Sequence, residues 1–402
     1  MKIIQINSVC GTGSTGRIVA QISDYLDKCN VDNYIAYGFG KSNRSNSYRF
    51  SNGLDAHLHS FFSRKLGWQG KMSHIATWRL IRYIDHIKPD IVHLHNIHGH
   101  YLNYNMLFRF LNKREYEVVW TFHDCWPVTG KCAHFTEARC EKWKIGCYDC
   151  PQLDRYPDSE RDRSSKSYRE KKKAFTAMSK LHIVTVSKWL KTVVEESFLG
   201  GVDTRCIYNG VDVNQFVFQS SELRKENNIT EKFVILSVAS VWNEGKGLKH
   251  FIDLSQRLAD DEVIVLIGIT PEQQKDLPDN IIGIPPVKDT RVLAQWYSLA
   301  DVYINLSIEE TFGLVVAEAM SCGTPAIVMN STACPEVVDA DTGFVAEPIN
   351  METILSYIRI IRDRGRKNYS GKCRERVETQ FSVLKMQETY WKLYRELGVK
   401  ND

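Results

Sequence analysis

Ten short runs rich in β-branched residues, five in each half of the chain, alternate with longer stretches of helical pattern. In the first half they are Lys2–Asn7, Asn33–Tyr37, Ile91–His95, Val118–Phe122 and His182–Val186. In the second half they are Phe233–Ala239, Val263–Gly268, Asn280–Ile284, Val302–Leu306 and Thr324–Val328. Each is about the length of one buried strand, and strands alternating with helices predict an α/β chain with parallel sheets. Two such sets in 402 residues imply two doubly wound domains with a cleft between them. The boundary is expected at Leu199-Gly200-Gly201, which gives domains 1–200 and 201–382. The stretch Val383–Leu397, with Leu384, Met386, Tyr390, Trp391, Leu393 and Tyr394, is expected to form a helix (383–402) that returns to the first domain.

A content of 43% hydrophobic and 25% charged residues excludes disorder and fibre. The net charge of +4, from 52 Lys and Arg against 48 Asp and Glu, is too small to argue for nucleic acid, and no nucleic-acid partner is expected. The whole excess sits between Arg155 and Lys173 (155–173), where eight basic residues face four acids. That run reads either as a solvated helix face or as a contact with anionic lipid headgroups or a phosphorylated substrate. No segment approaches the ~20 apolar residues of a membrane helix, and the start Met1–Asn7 reads as a first strand rather than a signal peptide. The expected location is cytoplasmic, with peripheral contact at the inner face of the membrane as an option. The 11 cysteines are then reduced thiols or metal ligands.

The loop Gly11-Thr12-Gly13-Ser14-Thr15-Gly16 follows the first strand and is expected to open a helix at Arg17. Its G-x-G-x-x-G spacing lets backbone approach a pyrophosphate at a helix N-terminus. A nicotinamide cofactor also needs an acid at the end of the second strand, and Tyr37-Gly38-Phe39-Gly40-Lys41 has none. The loop therefore reads as phosphate-binding, or as a turn that simply packs.

Two further segments carry chemistry. In Glu309-Glu310-Thr311-Phe312-Gly313-Leu314, leading to Glu318, one carboxylate stands at the mouth of a helix. The other lies inside it among apolar neighbours, where an unpaired charge is costly. Sugar or ribose hydroxyls would partner both; a cap and a solvated helix Glu are the plainer reading. The spacing Cys132-x7-Cys140-x6-Cys147-x2-Cys150, in an insertion at 125–151, suits a tetrahedral zinc site or else buried or redox-active thiols. His57, His59, His98 and His100 lack metal spacing and read as surface or satisfied polar groups.

The pair Glu310 and Glu318, followed by Gly323-Thr324-Pro325, resembles the retaining glycosyltransferases of family 4. Asn209-Gly210-Val211-Asp212, Lys246-Gly247, Pro89–His95 and Thr121-Phe122-His123-Asp124 agree with it, and together they span nearly the whole chain. The resemblance implies the GT-B fold, two Rossmann-like domains facing a central cleft, with a nucleoside-diphosphate sugar held mainly by the second. It implies that Glu318 holds the donor ribose, that Glu310 meets hydroxyls of the transferred sugar, and that Lys246 neutralises the diphosphate. Thr311, Phe312, Gly313 and Leu314 would help from the helix start, Gly11, Gly13 and Gly16 from the other domain, and His123 beside the reacting sugar. The catalytic set is then Glu310, His123 and Lys246, and the acceptor a glycan or lipid-linked glycan of surface polysaccharide synthesis. No metal or other cofactor is required for catalysis; same-face attack assisted by the leaving phosphate would give retention.

Family members usually carry Arg where this chain has Val241, and Arg17 is a candidate substitute. Members of the capsule and colanic-acid type have a similar insertion beginning His-Asp-Cys-Trp, in which four thiolates would hold a structural zinc. Two other readings are weighed. A non-catalytic glycosyltransferase-like binder would follow from the missing Arg, and an NAD-dependent dehydrogenase would leave Glu310 and Glu318 unexplained.

Overall fold

The computed structural model describes residues 1–348 and 350–398. The chain divides into two compact units, one of Met1–Ile207 with Gln387–Gly398, the other Tyr208–Met386.

The first unit holds β1 (Lys2–Val9), β2 (Asp32–Phe39), β3 (Ser47–Arg49), β4 (Ile91–Leu94), β5 (Glu117–Phe122), β6 (Leu181–Thr185) and β7 (Asp203–Cys206). They form one sheet in the order β3-β2-β1-β4-β5-β6-β7, with every pairing parallel. The second unit holds β8 (Phe233–Val238), β9 (Glu262–Ile267), β10 (Ile281–Ile284), β11 (Val302–Asn305), β12 (Ala326–Met329) and β13 (Gly343–Ala346). Its order is β10-β9-β8-β11-β12-β13, again all parallel. Parallel strands are covered on both faces and so are nearly continuous apolar runs; β4, β9, β11 and β12 are buried at every residue.

All ten expected strands are present. The three others, β3, β7 and β13, are sheet edges. An edge strand has one neighbour and half the burial, so it carries no continuous apolar run: Asp203-Thr204-Arg205-Cys206 has no fully buried residue. Because β7 pairs with β6, the first unit runs on to Ile207 rather than ending near Gly200. The helix after β1 begins at Gly13 rather than Arg17, which places Gly16 within its first turn.

The C-terminal helix Val383–Gly398 completes the first unit with Tyr390, Leu393 and Tyr394, each no more than 2% exposed. Leu384, expected on the buried face, is 56% exposed. A polar seam lies inside this contact. His93 Nδ1 meets Tyr394 Oη at 2.6 Å and its Nε2 meets Thr121 Oγ1 at 2.8 Å, and Thr121 in turn meets Tyr390 Oη at 2.9 Å.

Replacing Tyr394 by Phe keeps the packing and leaves a buried imidazole nitrogen without its partner. The expected cost is about 1–3 kcal/mol, read as faster amide hydrogen exchange in β4 and β5, since two units need not unfold in one step. Unchanged protection would show that the seam adds nothing.

Candidate functional site

In an open parallel sheet, ligands bind outside the carboxyl ends of the strands where the strand order reverses. That point lies between β1 and β4 in the first unit and between β8 and β11 in the second.

In the first unit the loop after β1 is the glycine loop. Gly11 and Gly13 take left-handed φ of +72° and +64°, and a Cβ on either would meet nothing within 4 Å, so the loop is open outward. Thr12 makes no side-chain cap, and the first-turn amides and the positive end of the helix dipole favour an anion. Asn7, fully buried at the end of β1, joins this loop to the one after β4. Its amide donates to Val9 O at 2.8 Å and Thr15 Oγ1 at 3.3 Å, and its carbonyl accepts from Asn96 N at 3.2 Å.

A chain of hydrogen bonds sets the histidines. Gln5 Nε2 donates to Val19 O at 3.1 Å, which leaves Gln5 Oε1 to accept from His95 Nε2, also at 3.1 Å. With its proton on Nε2, His95 can only accept at Nδ1, and the donor 3.1 Å away is His123 Nε2. The network thus assigns His123 an acceptor Nδ1. Burial lowers His123 to about 4, with Asp124 opposing and His98 adding. His93 and His95 are pushed well down, chiefly by burial. His98, read from sequence as a surface or satisfied group, is buried and places Nε2 2.7 Å from Asp124 Oδ2. Burial alone would raise the Asp124 carboxyl, but His98 and the Trp126 amide bring it down to about 2.

In the second unit the loops after β8 and β11 are locked together. Gly247 has φ +79°, and a Cβ there would lie 2.8 Å from Leu306; beside it Ile308 N donates to Gly245 O at 3.0 Å. Asn243 caps the turn by accepting from Lys246 N at 2.9 Å. This contact brings Lys246 Nζ to 2.5 Å from Glu310 Oε1, with the two side chains 33% and 18% exposed. Glu310 N donates to Thr332 Oγ1 at 2.9 Å, which fixes its backbone. Helix Leu314–Ser321 follows, with Gly313 at its start. Glu318 is buried on that helix, and its Oε2 accepts from Tyr297 Oη at 3.0 Å.

Thr311 and Leu314 are half-buried at the helix mouth. Phe312 is 2% exposed, with its ring against Tyr208 and Phe381, so only its backbone can serve a ligand. Val241 is 63% exposed, and Arg17 is exposed on the first unit. A cavity of about 980 Å³ in the second unit, lined by Phe218, Arg364, Arg366 and Arg374 among others, shares no residue with the Lys246–Glu310 group. Sequence reading missed Gln5, Asn7 and Tyr297; the only signal is a polar residue or Tyr inside an otherwise buried element.

Among the described residues no group of three or more His, Cys, Asp or Glu is placed to hold a metal ion. The thiols of the insertion do lie close enough to interact, since Cys147 acts on Cys132 and feels Cys140 and Cys150. Cys132 is hydrogen-bonded to Cys150, and Cys147 Sγ accepts from Gly130 N at 3.1 Å. The basic run 155–173 is only partly paired, and Arg161, Arg169, Lys172 and Lys173 are exposed. Arg155 pairs with Glu137 and Lys166 with Glu170, while Asp158 and Glu160 take Arg64 and Lys65. Lys171 is buried, its Nζ donating to Trp126 O at 2.6 Å and Thr129 O at 3.1 Å. Among the described residues no helix is long and apolar enough to cross a membrane.

Comparison with known proteins follows the two units. Residues 15–215 match the family described as Glycosyltransferase Family 4, and residues 219–377 match Glycosyl transferases group 1. The chain is 23% identical over 425 residues to WcaC of Escherichia coli K12, named as a putative colanic acid biosynthesis glycosyl transferase, covering 99% of this chain and all of that one. It is 22% identical over 315 residues to the Escherichia coli UDP-Gal:alpha-D-GlcNAc-diphosphoundecaprenol alpha-1,3-galactosyltransferase, covering 73% and 79%. Anabaena HepE, solved in complex with UDP-glucose, superposes with a TM-score of 0.68 at 15% identity, covering 98% of this chain and 100% of that one.

Two outcomes follow from the titrating groups. His59 (lowered to about 3, chiefly by burial), His93, His95 and His123 are neutral in the fold, whereas an unfolded His protonates near 6.5. The unfolded chain therefore binds more protons as pH falls from about 6.5 towards 4, and stability drops over that window. The loss is at most about 2 kcal/mol per histidine between pH 7 and 5. Urea unfolding at the two pH values checks it; a flat profile would mean the rings protonate in place.

The Cys132 bond lowers Cys150 and raises Cys132, while burial raises Cys147 to about 11. The thiolate is the reactive form, so iodoacetamide at pH 7 should label Cys150 well before Cys132 and Cys147, as peptide mass spectrometry would show. Equal labelling would remove that pairing.

Proposed function

The chain belongs to the glycosyltransferases of family 4, and from that membership we propose that it moves a sugar from a nucleoside diphosphate to a hydroxyl of a glycan or lipid-linked glycan, with retention. The Lys246–Glu310 pair, held where β8 and β11 end, carries the reading. Departure of a diphosphate needs positive charge fixed in place before the reaction, and Lys246 supplies it from a capped turn. Glu310 faces that charge without donor and would turn to the hydroxyls of the transferred sugar when diphosphate takes Lys246. Glu318, anchored by Tyr297, suits the ribose. In the first unit the open glycine loop offers amides to phosphate, and His123, neutral with an acceptor Nδ1, suits a sugar hydroxyl.

Retention follows if the acceptor attacks from the face the diphosphate leaves and the departing phosphate oxygen takes the proton. No metal is needed in that scheme. UDP-glucose in HepE and UDP-galactose in the name of the diphosphoundecaprenol enzyme make uridine the first base to test. The non-catalytic reading rests on Val241 alone.

The test is a thermal-shift panel of UDP, GDP and ADP and their sugars. A ligand at one hundred times its dissociation constant stabilises by ~2.7 kcal/mol, so the right base should stand apart. With that donor, Lys246→Ala should slow turnover by roughly 10- to 100-fold, the size of one lost charged hydrogen bond. Glu310→Gln should keep nucleotide binding and lose turnover, and Glu318→Ala should mainly raise the donor KM. Three variants that behave like the parent would overturn the assignment.

A further inference from the structure

We propose that Tyr156, His98 and Asp124 form a hydrogen-bonded chain that binds a hydroxyl of the acceptor sugar, with Tyr156 as the contacting group and His98 and Asp124 as positioning residues. The inference rests on the glycosyl-transfer reading above.

Asp124 and His98 come from the loops after β5 and β4, and each is 8% exposed. Asp124 uses both oxygens: Oδ1 accepts from Trp126 N at 2.9 Å and Oδ2 lies 2.7 Å from His98 Nε2. A carboxylate only accepts, so the proton between them belongs to Nε2. In the neutral ring His98 Nδ1 is then an acceptor, and its partner at 3.2 Å, the Tyr156 hydroxyl, donates to it. The Trp126 ring lies 5.3 Å from the imidazole and holds it in this orientation.

The direction of this chain decides what it can bind. A phenol that gives its single proton inward presents only lone pairs outward, and Tyr156 is 55% exposed. Burial and the nearby Asp124 push its hydroxyl up to about 12, so it stays a neutral phenol. Such a group accepts from a hydroxyl and offers nothing to a phosphate or a carboxylate, which are themselves acceptors. It therefore suits a sugar rather than the anionic part of the donor. Asp124 directly follows His123 in the chain.

The experiment uses the full chain, methyl α- and β-glycosides of the common hexoses, and the donor picked out by the nucleotide panel. Saturation-transfer NMR reads glycoside binding without donor; mass spectrometry reads transfer and donor hydrolysis. Tyr156→Phe should keep the thermal midpoint and weaken binding of the preferred glycoside about tenfold or more. It should raise the acceptor KM alike, with kcat, donor KM and hydrolysis to water unchanged. Asp124→Asn should shift acceptor KM in the same direction, because it removes the acceptor that sets the His98 tautomer. If no glycoside binds the parent, or if Tyr156→Phe binds it as well, the inference falls. Equal losses in hydrolysis and transfer would also overturn it, since they would place the chain on the donor or in the fold. A failure of every nucleotide to bind would strike the proposed function instead, and the NMR arm would still judge this one.

Discussion

A parallel strand buried on both faces must partner any polar group inside it and meets ligands at its carboxyl end, and both units are built under that constraint. Depth along the first sheet sorts the histidines accordingly. His93, inside β4, is held by Tyr394 and Thr121. His95, just past the strand, is oriented by Gln5 and passes its orientation to His123. Farther along the loops His123 is half-buried, and His98 and Asp124 orient the exposed Tyr156. In the second unit the same rule puts Lys246 after β8 and Glu310 after β11, and Gly247 lets the two loops close on each other.

Much of this was legible in the sequence because burial on both faces writes itself as a continuous apolar run. Val302–Leu306 and Val263–Gly268 are such runs, and both are strands. The edges β3, β7 and β13 were not legible, since a strand with one neighbour need not be apolar. Glu310, Glu318 and Lys246 could be picked out by their place after strands and by family resemblance. That Lys246 touches Glu310 could not, for it depends on how two loops pack across a switch in strand order. His98 was illegible for a different reason: its tautomer depends on Asp124, and no spacing encodes that pairing.

Four cysteines within 19 residues and eight basic residues between Arg155 and Lys173 are densities along the chain, whereas metal binding and surface potential are arrangements in space. In the fold Cys147 faces the Gly130 amide, and Lys171 turns inward onto the carbonyls of Trp126 and Thr129. The acids of the run, meanwhile, reach out to Arg64 and Lys65. The segment just after the insertion contributes Tyr156, whose hydroxyl meets His98.

The returning helix also fixes an order of events during synthesis. β4 and β5 leave the ribosome before the second unit, but the tyrosines that close over His93 and Thr121 are translated after all of it. Until then the first unit has a half-finished polar seam and an uncovered apolar strip, while Tyr208–Met386 is already complete. Units made first usually fold first; here the first-made part waits for residues made after the second unit. A premature stop before Tyr390 would therefore injure the part of the protein farthest from it in sequence.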